Sequence, residues 1–245
     1  MKTYLIMSGK GGSGKSTSAI NIAYGLALKG KKVGISDSDI TGSNIAFLLG
    51  MKRTDIELLD YSYIKPFVWE KHGVKLEIMG MSFMTSSHTQ PMLMKGDKKR
   101  IFVREFIDKV SWGSQIGSLD YMIVDLPPGS GSEAVSIIET LKKIDGVVIT
   151  TTPSRVCLID VAKTIKLCKK LELKIVGLVV SMSHFRCDCG KKSYIFGDNG
   201  GISKFADRYN VNIISQIPIV PLANTEPLFL SDFYTDAVKK ISGRW

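Results

Sequence analysis

Gly9-Lys10-Gly11-Gly12-Ser13-Gly14-Lys15-Ser16-Thr17 is the stretch that decides the fold of this chain. It fits G-x-x-x-x-G-K-[ST], a loop that wraps a phosphate in backbone N–H groups. The loop stands between an apolar run, Tyr4-Leu5-Ile6-Met7, and a helical pattern from Ala19 to Leu28. That is the context it requires, because a strand delivers the loop and the helix aims its positive dipole end at the anion. Glycines at this spacing let successive N–H groups turn inward with no Cβ in the way. Lys15 is placed to reach the β- and γ-phosphates, and the Ser16 hydroxyl to ligate Mg2+. Residues 9–17 are therefore a candidate site for a nucleoside triphosphate.

Short apolar runs alternate with helical patterns through the rest of the 245 residues. This is the signature of an α/β fold of the P-loop type: one domain, a mostly parallel twisted sheet, helices on both faces. Strands are expected at 3–8, 33–37, 76–80, 121–125, 146–151, 175–181 and 212–217. Each is nearly continuous in apolar residues, as strands buried on both faces are. Residues 50–75 read as an excursion with little sheet character. A cysteine-pair loop is expected near 184–200 and a closing helix near 230–243. Lys95 to Arg104 is strongly basic and reads as a solvated helix start or a docking patch.

Composition bounds the rest. Hydrophobic residues make up 44% and charged residues 23%, ordinary values for a globular domain. No apolar run approaches the roughly 20 residues of a membrane span, and a strand starting almost at Met1 predicts no secretory leader. A cytoplasmic setting is expected, in which four cysteines argue for metal or thiol chemistry more than for disulfides. The net charge of +10 favours anionic partners. Neither an aromatic-interleaved basic stripe nor zinc-finger spacing argues for nucleic acid.

Ligands in such sheets bind at the carboxyl ends of the strands, where the informative side chains cluster. The second strand ends in Asp37-Ser38-Asp39. Asp39 is the candidate for orienting an attacking water, and Asp37 for supporting the metal and the loop. The run Met122-Ile123-Val124 ends in Asp125, the expected outer-shell ligand of Mg2+. Gly129, after Leu126-Pro127-Pro128, can offer an N–H to the γ-phosphate, which makes 127–132 a candidate switch.

Lys10 is not required by the general loop pattern. With it, the loop resembles the deviant P-loop class, in which this lysine reaches across a dimer to the partner's nucleotide and neutralises charge on the transferring phosphoryl group. From residue 3 to about 230 the chain resembles the Mrp/ApbC family of ATP-dependent iron–sulfur cluster carriers. The resemblance rests on the loop, on Asp37-Ser38-Asp39-Ile40-Thr41-Gly42, and on Trp112 shortly before Leu119 to Gly129. It continues through Thr151-Thr152-Pro153, Met182-Ser183-His184-Phe185, Ile195-Phe196-Gly197, Gly200-Gly201 and Ile217-Pro218. It implies a slow or partner-stimulated ATPase, a homodimer, and a [4Fe–4S] cluster shared between two subunits for delivery to apo-proteins.

Three departures bear on those implications. The family usually carries C-x-x-C, whereas this chain has Cys187-Asp188-Cys189. In an extended segment residues two apart point the same way, so both thiolates can face one metal. Two thiolates are half of a cubane's four ligands, and a twofold dimer supplies the rest. Zinc shared across the same interface, redox chemistry or no metal are the alternatives. Ser181 stands where the family commonly has Asn, so preference for ATP over GTP follows from the resemblance more than from this residue. Ser132 likewise replaces a common acid. Cys157 and Cys168 read as buried core thiols. The competing class is a positioning ATPase acting at a membrane or on a protein partner, supported by Leu230, Phe233, Tyr234, Ala237, Val238 and Ile241 at helical spacing beside Lys239, Lys240 and Arg244. That same stripe also suits a helix packed on the sheet.

Overall fold

A computed structural model of the chain describes residues 1–39, 42–51, 58–59, 63–80, 83, 108–187, 189–197, 199–219 and 232–243. The first half runs β1 (Lys2–Ser8), α1 (Lys15–Leu28), β2 (Val33–Asp37), α2 (Ile45–Leu48), β3 (Leu58–Leu59), β4 (Tyr63–Ile64), β5 (Phe67–Lys71) and β6 (Val74–Gly80). It continues with β7 (Tyr121–Asp125), α3 (Ser132–Thr140), β8 (Gly146–Thr151), α4 (Arg155–Lys170) and β9 (Ile175–Val180). A hairpin of β10 (Phe185–Arg186) and β11 (Lys192–Ser193) leads to α5 (Asn199–Tyr209), β12 (Ile213–Gln216) and α6 (Thr235–Ser242).

Eight strands form one sheet in the order β12-β9-β8-β1-β7-β2-β6-β5. Every pairing is parallel except that of β5 with β6. All seven expected strands are present, with ends within two residues of the expected ones. Every residue of β2, β7 and β8 is buried, which is why these strands read as unbroken apolar runs rather than alternating ones.

Side chains of β1 alternate between two covered faces. On one face the Tyr4 hydroxyl donates to the Ile241 carbonyl of α6 at 3.2 Å. On the other, Met7 Sδ accepts from Cys168 Sγ of α4 at 3.8 Å. Cys168 is a buried thiol, as expected, and burial pushes it up to about 11. Cys157 is only half-buried and departs from the expectation, because it sits in the exposed first turn of α4.

The segment 50–75 is not free of sheet. It carries β3, β4 and the edge strand β5, which turns back into β6 through His72-Gly73, both at positive φ of 51° and 75°. Two such residues make the tight turn that matches strand twist. The strand escaped notice because an edge strand buries one side only. Trp69 is its buried anchor, donating its indole N–H to the Leu49 carbonyl at 3.1 Å, while Val68 is exposed and Glu70 pairs at 3.3 Å with Lys75 in solvent. The basic run 95–104 lies outside the described residues.

The closing helix is α6, and its apolar stripe is used inside the fold. Ala237, Val238 and Ile241 are buried, and a Cβ at Gly25 of α1 would meet Val238 Cγ2 at 2.7 Å. Tyr234, just before it, is 1% exposed and its hydroxyl bonds Ser18 Oγ at 3.0 Å. The described part of the stripe that supports the positioning-ATPase alternative thus faces the core, apart from Phe233. No helix among the described residues is long and apolar enough to cross a membrane.

At the amino end of the sheet, buried Glu77 of β6 accepts the backbone N–H groups of Gly113 (2.6 Å), Gln115 (2.8 Å) and Ile116 (3.0 Å). One carboxylate thereby organises the loop before β7. Glu77→Gln places an N–H2 against these donors and leaves some unpaired. We expect it to lower unfolding free energy by about 1.5–3 kcal/mol in urea titration, with nucleotide affinity unchanged because the loop lies opposite the phosphate site.

Candidate functional site

The glycine-rich loop leaves the carboxyl end of β1 and closes on α1. Gly12 and Gly14 adopt φ of 77° and 79°, which L side chains rarely tolerate. At Gly9 the constraint is space, since a Cβ there would lie 2.5 Å from the backbone of Asp160 and Val161 in α4. Ser13 Oγ donates to the Lys10 carbonyl at 3.1 Å and meets Thr150 Oγ1 at 3.3 Å, tying the loop to β8. Ser18 N–H donates to the Gly14 carbonyl at 2.9 Å, starting the helix.

Asp125 gathers the functional side chains. Strand register sets it beside Ile6 of β1 and Asp37 of β2. Lys15 Nζ lies 2.7 Å from Asp125 Oδ1, and Ser16 Oγ donates to Asp125 Oδ2 at 2.6 Å. The carboxylate is fully buried. Burial pushes it above the usual carboxylate range, while Lys15 and Ser16 pull it back. The hydroxyl and the carboxylate expected to hold Mg2+ therefore touch, and their oxygens suit a hard cation.

Asp37 is pushed up to about 7, first by burial and then by the charge of Asp125. Its Oδ2 accepts from Ser43 Oγ (2.8 Å), Asn44 N–H (2.9 Å) and Ile45 N–H (3.1 Å). Asp37 thus holds the loop into α2. Asp39 accepts the Gly42 N–H at 3.0 Å and lines the cleft over the loop. This cleft of about 510 Å3 is bounded by Lys10, Gly11, Gly12, Gly14, Lys15, Ser16, Thr17 and Asp39 from the expected set. It is completed by Ser8, Gly42 and Pro128, and by Asn44, Phe47 and Leu48, the last three of which the sequence did not mark. Four residues of helix carry no periodicity to read, and Phe47, 65% exposed, resembles any surface aromatic.

Two expected residues have partners of their own within the fold. The Gly129 N–H donates to the Ser8 carbonyl at 2.8 Å, with φ of 90°, which braces the switch against β1. Ser181 is buried, with its Oγ 2.5 Å from where a Gly14 Cβ would stand. It backs the phosphate loop.

The cysteine pair sits on the β10–β11 hairpin, beyond the carboxyl end of β9. Cys187 and Cys189 are joined as a disulfide, with Cα atoms 5.3 Å apart. The sequence ranked metal or thiol chemistry above disulfides and brought the sulfurs together through an extended segment; here a turn does so, its Cα separation falling short of the roughly 6.6 Å of an extended pair. Reduction is needed before either can ligate. Gly190, at φ of 81°, closes the turn with its N–H on the Cys187 carbonyl at 2.8 Å. The hairpin is cationic. After burial, the charges of Lys192 and Arg186 hold the His184 imidazole below its usual value.

The ParA family profile, described as NUBPL iron-transfer P-loop NTPase, matches residues 1–228. The chain belongs to this family. Among relatives of the NUBPL-type NTPase, a cytosolic Fe-S cluster assembly factor, the Nubp2 homolog of Drosophila willistoni, is 36% identical over 235 residues, covering 93% of this chain and 87% of that protein. An iron-sulfur cluster carrier protein of Methanocaldococcus jannaschii is 39% identical over 216 residues, covering 88% and 71%. Among solved structures, a nucleotide-binding protein in complex with ADP from Archaeoglobus fulgidus superposes with TM-score 0.74 at 31% identity, covering 96% of this chain and 87% of that one. The septum site-determining protein MinD of Pyrococcus horikoshii superposes at 0.64 with 19% identity, covering 98% and 95%, and shares the fold.

In this NTPase, Lys15→Ala would remove the ammonium from the cleft and leave Asp125 buried without its cation. We expect nucleotide affinity to fall by at least about 100-fold and stability by about 3–5 kcal/mol. Calorimetric titration and urea unfolding read the two separately.

Proposed function

We propose that this protein is a cytoplasmic, homodimeric ATPase that carries a [4Fe–4S] cluster between two copies and passes it to apo-proteins. The observation that carries the reading is a phosphate loop whose Lys15 and Ser16 converge on Asp125, in a chain that presents two cysteines on a hairpin at the same end of the sheet. The names of the relatives as cluster carrier and assembly factors support the cargo.

Residues 9–17 hold the triphosphate through backbone N–H groups, and Lys15 moves from Asp125 to the β- and γ-phosphates. Ser16 directly, and Asp125 in the outer shell, would hold Mg2+, which would supply charge neutralisation on the phosphate oxygens. Asp39 orients a water toward the γ-phosphorus. The new bond to water oxygen forms as the bond to the β–γ bridging oxygen breaks, giving ADP and phosphate. Lys10, exposed at the loop tip, reaches the nucleotide of the second copy. Reduced Cys187 and Cys189 supply two of the four thiolates, and the second copy supplies two.

Nucleotide state moves 37–42 and 125–132 and thereby the hairpin. Cluster release to a chelator or an apo-ferredoxin is expected to differ by at least about fivefold between ATP and ADP. Identical release with ATP, ADP and no nucleotide sinks the coupling.

A further inference from the structure

Helices α4 and α5 lie side by side and run in the same direction. At their carboxyl ends Lys169 Nζ donates to the Tyr209 carbonyl at 3.1 Å. At their amino ends Gly197, just before α5, packs on Pro153, just before α4, with 2.8 Å from a Cβ position to the Pro153 oxygen. Between them runs a groove of about 360 Å3. Its floor is apolar, with Leu158, Ile159 and Phe205, and its lining carries the cations Arg155, Lys204 and Arg208. Among the described residues no carboxylate lines it. Asp160 of α4 is bonded to Lys163 at 2.8 Å instead, and Asp207 of α5 is not part of the lining. Among the described residues no carboxylate pairs with the three groove cations.

Ile159 is 61% exposed, a large aliphatic surface set among cations. Ile195 and Phe196, both exposed, stand in the segment between the cysteine hairpin and the amino end of α5. A ligand here must therefore bring apolar side chains for the floor and negative charge for the walls. A second copy of this chain, at net charge +10, answers the second requirement poorly. A flat lipid surface would cover Ile159 but not Leu158 and Phe205, which are half-buried between the helices.

We propose that the α4–α5 groove docks an acidic protein segment bearing aliphatic or aromatic side chains, and so holds a protein partner beside the Cys187–Cys189 hairpin. The docking stands on the groove alone; that the partner gives or receives cargo rests on the carrier reading above. Cation–carboxylate complementarity around an apolar centre gives specificity and a salt-dependent affinity.

The test is fluorescence anisotropy with a labelled peptide carrying glutamates and leucines at helical spacing, beside the same peptide with lysines for glutamates. The full-length protein is compared with Arg155→Glu/Lys204→Glu/Arg208→Glu, with Ile159→Asp, and with a distant charge control, Lys2→Glu/Lys29→Glu/Lys142→Glu. We expect only the acidic peptide to bind, more weakly as salt rises. Both groove variants should lose at least about tenfold, while the control matches wild type. Nucleotide affinity and reconstituted iron content should be unchanged in the groove variants, which excludes misfolding. Absence of binding to wild type, or equal loss in the charge control, overturns the proposal. So does groove-dependent binding of phosphatidylserine vesicles with no preference for the acidic peptide. Groove-dependent peptide binding by a protein that takes up no iron upholds the dock and removes the carrier reading.

Discussion

The pairing of buried Asp125 with Lys15 and Ser16 is the interaction on which the rest of this structure depends. A fully buried carboxylate is costly unless a cation and hydrogen-bond donors compensate it. Here the compensation comes from the two residues that also define the phosphate loop, at 2.7 and 2.6 Å. The second carboxylate, Asp37, stands in register on the neighbouring strand, and two close carboxylates resist joint ionisation. The cleft thus holds a concentrated charge conflict that a divalent cation and a triphosphate would redistribute.

This arrangement links the site to the loops around it through backbone bonds. The Asp125 carbonyl accepts the N–H of Ser38, and the Ser8 carbonyl accepts that of Gly129. Asp37 fixes the start of α2 through three donors. A change at Lys15 or Asp125 therefore bears on both switch segments. The cysteine hairpin is tied to the same end of the sheet, with Ser183 N–H on the Ile217 carbonyl at 2.9 Å and Ile219 N–H on that of His184 at 2.7 Å. The proposed coupling between nucleotide and cargo has this framework to act through.

What could be read from the sequence follows from how local each signal is. The phosphate loop, the seven parallel strands and the acids at their ends are short-range patterns, and all are found where expected. The edge strand β5 was missed because Glu70 and Lys71 interrupt its apolar run and only Trp69 is buried. The cleft wall at Asn44, Phe47 and Leu48 was missed because tertiary placement alone assigns it. Gly129 and Ser181 were recognised as neighbours of the nucleotide site, but not the bonds that occupy them. The direction of a backbone N–H and the packing of Ser181 on Gly14 depend on the closed fold. The cysteine pair was legible as two sulfurs on one side, whereas their oxidation state was not.

The central claim is that Cys187 and Cys189 of two copies share one cluster, and its most direct test is chemical composition. The reduced protein is reconstituted anaerobically, and iron and acid-labile sulfide are measured beside Cys187→Ala/Cys189→Ala. The account predicts about two irons and two sulfides per chain, as for one cubane shared by a dimer, with both lost in the variant. Iron and sulfide absent from the wild type, or retained equally in the variant, would contradict it.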